Sequence, residues 1–194
     1  MSIFDDIKQS AEGRELSTRW YRGKITSLGG TDMSAKQHIR AGEREGNTTA
    51  RPNYGMMNLF AYKPKTAEKL PYYDIFPLSI PVKKHRDGFT GINFHYLSIP
   101  LRVKLLNTLV EAFGDSSNEK LDMTWRSISS YNTARPIVRR YKARYVQSLF
   151  LKLSIEDMLI AVLLPVERFY TGEYRSKQSV MKNMVYRETR RKML

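Results

Sequence analysis

Residues 75–97 read IFPLSIPVKKHRDGFTGINFHYL, and this stretch decides the fold. Two runs rich in aromatic and branched residues, 75–82 and 89–97, flank KKHRDG, whose Asp-Gly ending suits a hairpin turn. Residues 55–62 (GMMNLFAY) supply a third strand-like segment of the same character. Pro77 and Pro81 cannot donate ladder hydrogen bonds, so the middle segment should lie at an edge or be bent. A small antiparallel sheet or partial barrel is the expected core.

Beyond Pro100 the apolar period changes. Leu101, Leu105, Thr108, Leu109 and Phe113 share a helical face, and Gly114 supplies a stop. A short helical stretch is expected at 123–130. Arg135-Pro136 then opens IVRRYKARYVQSLFLKLS, whose first half reads as helix and whose second half, 146–153, alternates like a strand. Ser154 and Asp157 have capping-box spacing for a short buried helix, IEDMLIAVLL, which Pro165 closes. Residues 171–194 read as a basic amphipathic helix or tail with a narrow apolar side of Val180, Met181 and Met184. On the other flank, residues 1–30 suggest a partly helical lead-in ending at Gly29-Gly30. Residues 31–54 are polar and suggest an extended arm or loop. The expectation is therefore an α+β chain. A core at 55–170 is surrounded by helices, and a basic helix follows it.

The totals bear on partners. The chain has 194 residues, and its 33 Lys and Arg against 19 Asp and Glu leave a net charge of +14. Such an excess favours a polyanion, or an acidic protein neighbour in an assembly. The absence of cysteine excludes disulfides, thiolate metal sites and a cysteine nucleophile, and favours a reducing intracellular origin. Acidic residues in MSIFDDIKQS argue against a signal peptide. The longest apolar run, 158–166, is far short of the ~20 residues that cross a bilayer, so no membrane partner is expected.

The charge is clustered. From Arg135 onward 14 Lys and Arg face five Asp and Glu, which places +9 of the excess in the last third of the chain. Arg135 precedes a first cluster, Arg139, Arg140, Lys142 and Arg144, interleaved with Tyr141 and Tyr145. Guanidinium groups take phosphate bidentately, and tyrosine stacks on bases or donates to phosphate oxygens. The second cluster is Arg187, Arg190, Arg191 and Lys192. These nine residues are the candidate nucleic-acid contacts.

Catalytic signals are weak by comparison. His38, His85 and His95 lack metal-pair spacing. His95 reads as a hydrogen-bonded core residue and His85 as part of an exposed basic turn. No P-loop is present. The GxxG of 88–91 matches the backbone clamp of KH modules, but it opens a strand here and reads as hairpin. For a metal-dependent nuclease, Asp6 with Lys8, Asp74, Asp87, Glu156 and Asp157 are candidates, yet no spacing groups them. No catalytic residue, metal site or cofactor is assigned.

The block KPKTAEKLPYYDIFPLSIPV, with GFTGINFHYL and IPLRVKLLNTL after it, resembles virion-associated proteins of T-even-like myoviruses. Among these it is most similar to the DNA end protector family. The later SLFLKLS and LLPVERF add to the likeness. The resemblance implies a late phage protein, made in the host cytoplasm, that enters the filled head or neck and binds the packaged DNA end. Its partners would then be DNA and other virion proteins, such as portal, neck or tail subunits, with an oligomeric state set by the assembly. A structural connector of the neck, tail or baseplate is the alternative, followed by a metal-dependent nuclease.

Overall fold

The computed structural model describes Gly23 and residues 34–114, 121–129, 134–171 and 179–193. The lead-in helix expected within 1–30 lies outside the described residues, as does segment 172–178. Among the described residues the strands are β1 (Thr48–Thr49), β2 (Met57–Leu59), β3 (Tyr73–Asp74), β4 (Leu78–His85), β5 (Gly88–Asn93), β6 (Val138–Lys142), β7 (Phe150–Leu153), β8 (Phe169–Tyr170) and β9 (Ser179–Val180). The helices are α1 (Ala35–Arg44), α2 (Ile99–Phe113), α3 (Trp125–Ser129), α4 (Ile155–Ala161) and α5 (Lys182–Arg191). The fold is α+β.

The hairpin read from the sequence sits inside the main sheet, an antiparallel array ordered β1-β7-β2-β4-β5-β6. Arg86 and Asp87 form its turn, with His85 opposite Gly88. Gly88 has φ 155°, and a Cβ there would overlap the Tyr141 carbonyl, so the turn and the neighbouring strand both demand glycine. Of the two outcomes that Pro77 and Pro81 left open, an edge position or a bend, the edge position does not occur, since β2 and β5 flank β4. The expected bend does occur. The register shifts between Pro81 and Lys83, a bulge that accommodates the missing N–H.

Strand β6 corrects the helical reading of the first half of 137–154. Val138 to Lys142 pair along Ile92 to Gly88. The open backbone edge of β5 takes up this segment, which outweighs its modest local helical preference. After β6 the chain turns back onto the end of β2. Tyr62 bridges Val146, Lys63 N–H donates to Tyr145 O at 3.1 Å, and Gln147 N–H donates to Ala61 O at 2.8 Å. The sheet thus curls towards a partial barrel. Its concave side holds Phe60, Tyr62, Phe89, Tyr141 and Phe150, with Phe60 and Phe150 centroids 4.9 Å apart. Alternate residues of the same strands, among them Leu59, Ile80, Ile92 and Leu151, join the larger core on the opposite face with Leu106 and Leu109 of α2.

Helix α1 replaces part of the arm expected at 31–54. Ser34 and Gln37 form a capping box, and Ala35, His38 and Ile39 are buried on one side. That short apolar stripe suffices because β1 and β7 offer a surface to cover. Ser154 and Asp157 cap α4 as their spacing predicts. A second, small sheet, ordered β3-β8-β9, brings Tyr73 opposite Tyr170.

Candidate nucleic-acid interface

The first basic cluster lies on an edge strand, so its residues alternate between two environments. Arg139 and Tyr141 turn inward. The Arg139 guanidinium lies 3.9 Å from the centroid of the Tyr96 ring and donates to the carbonyls of Pro136 and Val138, both at 2.8 Å. Arg140 and Lys142 turn outward and flank Asp87 of the hairpin turn. Arg140 donates to Asp87 Oδ1, and Lys142 Nζ lies 3.7 Å from Oδ2. Hydrogen bonding from Arg140 holds the Asp87 carboxyl below its ordinary range. Arg144, exposed, stands 4.9 Å from the Tyr145 ring centroid. Arg135 is exposed as well.

The sequence reading missed the other half of this basic surface. Lys83 and Thr90 are register partners, as are Thr90 and Arg140, so the hairpin places Lys83 in the same cross-strand row as Arg140. Lys84 and Arg86 are exposed at the same end. His85 is held below its ordinary value, first by desolvation and then by Arg140 and Lys83, against the pull of Asp87. KKHR was legible as charge, but only the pairing of β5 with β6 joins it to the later cluster.

The second cluster is carried by α5, with Lys192 as its C-cap. This helix is tied down by polar groups more than by apolar ones. Buried Arg102 donates to Leu97 O at 2.8 Å, Leu164 O at 3.3 Å and the Tyr186 hydroxyl at 3.0 Å. Its guanidinium also pairs with Glu167 at 3.1 Å, and Tyr186 donates to the same carboxylate. Lys182 reaches Glu167 at 3.4 Å from the solvent side. Burial alone would raise the Glu167 pKa, but Arg102, His95 and the Tyr186 hydroxyl overcome it and hold the carboxyl at about 2. Tyr72 donates to Glu188 at 2.9 Å, which secures the far end. The buried side chains of α5 are Val185 and Thr189, with Val180 buried just before the helix. Met181 (83% exposed) and Met184 (37%) face outward, which corrects the apolar side expected from the sequence. Arg187, Arg190, Arg191 and Lys192 are all exposed.

The two clusters meet at one cleft. Its volume is about 310 Å³, and Arg139, Arg140 and Lys192 line it together with Tyr62, Tyr96 and Tyr141. Arg135, Lys142, Arg144, Arg187, Arg190 and Arg191 do not line it. A second cavity of about 350 Å³ shares Tyr62 and Tyr73 with the first. Asp74 and Asn93 also line the first cleft. Asp74 is a core carboxylate there: Oδ1 accepts from Phe76 N–H, and Oδ2 bonds to Asn93 Nδ2 and His95 Nδ1, all at 3.0 Å. Asn93 Oδ1 in turn accepts from His95 N–H at 2.9 Å. The polar–aromatic core expected around these residues is present.

Among the described residues the remaining nuclease candidates do not converge. Asp87 is engaged by Arg140, Asp157 serves the α4 cap, and Asp6 and Lys8 lie outside the described residues. Among the described residues no group of three or more His, Asp or Glu side chains is placed to hold a metal ion, and no helix is long and apolar enough to cross a membrane.

A family model described as phage T4 terminal DNA protecting protein matches residues 10–184. No curated protein and no solved structure matches the chain.

Proposed function

Because the chain belongs to the phage T4 terminal DNA protecting protein family, we propose that it binds the packaged DNA end through phosphate contacts and shields it without doing chemistry on it. The observation that carries this reading is the meeting of two basic clusters, remote in sequence, at the cleft lined by Arg139, Arg140 and Lys192. The outward cations of β6, the hairpin tip and the last turn of α5 extend that surface for a phosphate backbone. Arg139 is a positioning group in this account, because Tyr96 and two carbonyls already hold it. Of the candidate carboxylates among the described residues, Asp74, Asp87 and Asp157 are engaged in structure, which supports a binding role. The protein would act as a virion component made in the host cytoplasm, beside portal, neck or tail subunits. A connector role has one observation in its favour, the exposed Met181 and Met184 on α5.

Salt titration of binding to linear duplex DNA tests the proposal. Each phosphate contact contributes about 0.9 to the slope of log affinity against log salt. The triple variant Arg140→Ala, Lys142→Ala, Arg144→Ala should lower that slope by roughly 2–3 and weaken exonuclease protection. An unchanged slope and affinity in the triple variant would sink the phosphate-contact reading.

A further inference from the structure

The far edge of the main sheet carries a basic surface of its own, built on α1. The buried side of this helix is Ala35, His38, Ile39 and Gly42, packed on β7 and β1. Its outward side carries Lys36, Arg40 and Arg44 at four-residue spacing, which stacks the three exposed cations in one row. Among the described residues none of the three forms an ion pair, although Glu43 stands one turn from Arg40. Arg40 and Arg44 line a hollow of about 620 Å³ with Gln37 and Glu43. Helix stability does not account for the row. Like charges four residues apart disfavour a helix, and Lys36 sits in a first turn that holds no acidic residue, where the helix dipole opposes a cation.

We propose that this face of α1 is a second phosphate-binding surface, so that one molecule holds two duplex segments at once. The inference rests on the DNA-binding reading above and adds a site to it. The sheet order sets the two surfaces apart: β7, β2, β4 and β5 lie between β1, beside which α1 packs, and β6. No residue of α1 lines the cleft of the first surface. The row is ~12 Å long, a length over which one DNA strand presents about four phosphates. Its composition favours a polyanion over a protein. Among the described residues the exposed large apolar side chains are Tyr54, Leu149, Leu159, Met181 and Met184, none of them on α1. Protein interfaces are anchored by such side chains, whereas phosphate binding needs only the cations. A molecule seated on a DNA end through β6 and α5 would hold a neighbouring duplex through α1, and the two contacts together would slow its loss.

The full chain should be bound to an immobilised linear duplex at low salt, washed, and offered a second, fluorescent duplex. Wild type should capture the second duplex. The triple variant Lys36→Ala, Arg40→Ala, Arg44→Ala should capture roughly 10-fold less yet keep the wild-type salt slope for the first duplex. Alanine suits a helix interior, so α1 should persist in the variant. Sedimentation with short duplexes in excess should find two duplexes on each chain. One duplex per chain, or two chains for each pair of duplexes, overturns the inference while leaving the first surface intact. Equal capture by the triple variant also overturns it. A lowered slope for the first duplex does the same, because α1 would then belong to one continuous surface. Displacement of the second duplex by polyglutamate more readily than by unlabelled duplex of equal charge would assign α1 to an acidic protein instead and overturn it too. If wild type binds no duplex at low salt, the phosphate-contact reading falls and this inference falls with it.

Discussion

Strand β6 and helix α5 have the same chemical vocabulary, arginine and tyrosine with a few apolar residues, yet the fold uses it in opposite ways. In β6 the two-residue period sends Arg139 and Tyr141 inward and Arg140 and Lys142 outward, so the cations are divided between structure and solvent. In α5 the helical period buries Val185 and Thr189 and leaves all the arginines exposed. The helix borrows its buried cation from elsewhere, because Arg102 of α2 meets Tyr186 and Glu167 beneath it. Net charge counts every arginine alike. The periods separate those that build the protein from those that can meet a ligand.

The sharpest way to break this comparison is to remove the borrowed cation. Arg102→Leu leaves the Glu167 carboxylate buried without its guanidinium partner, held by the Tyr186 hydroxyl and the solvent-side Lys182. Stability to denaturant should fall by about 3–5 kcal/mol, the range for stranding one partner of a buried pair. Hydrogen exchange should rise at Val185 and Thr189 of α5 well before it rises at Tyr141 of β6. Simultaneous loss at both would show that the two regions share one attachment.

Acid should distinguish the regions next. The folded Glu167 carboxyl titrates at about 2, below its ordinary value of 4.5. A depressed acid contributes stability that is complete above about 4.5 and disappears as pH falls through 2. The difference corresponds to roughly 3 kcal/mol. The carboxylate paired with β6, Asp87, is exposed, and the strand rests mainly on backbone pairing and aromatic packing. Protection of α5 should therefore decline first between these pH values, and Glu167→Gln should remove that part of the pH dependence. Matching acid profiles for the two elements would contradict it.

The legible parts of this protein were those governed by local chemistry. The Asp-Gly turn of 83–88, the capping pair Ser154 and Asp157, and the Gly114 stop each state their structure within a few residues. Segment 138–142 was misread because its alternating Arg and Tyr satisfy a helix or a strand equally until β5 presents an open edge. The α1 segment looked like an arm because its apolar stripe is only Ala35 and Ile39. The cleft was legible in part. Arg139, Arg140 and Lys192 could be named from charge, but Tyr62, Tyr72 and Tyr96 reach it through pairing and packing across the chain. Isolated tyrosines give no hint of convergence.

The smallest effect bears most directly on the division within β6. Arg139→Gln removes a guanidinium stacked on Tyr96 and its bonds to two carbonyls. A desolvated cation–π contact contributes about 1–2 kcal/mol, so the unfolding midpoint should drop measurably. Arg140→Gln removes an exposed group whose partner, Asp87, is exposed as well, and the midpoint should stay where it was. For DNA binding the order of direct effects should reverse. Arg140→Gln should lower the salt slope by about 0.9, whereas Arg139→Gln should leave the slope nearly unchanged and act on affinity through the position of the cleft wall. If both substitutions gave the same slope and the same midpoint, the alternation of β6 would have no functional meaning. Two adjacent arginines would then be interchangeable despite facing opposite sides of the sheet.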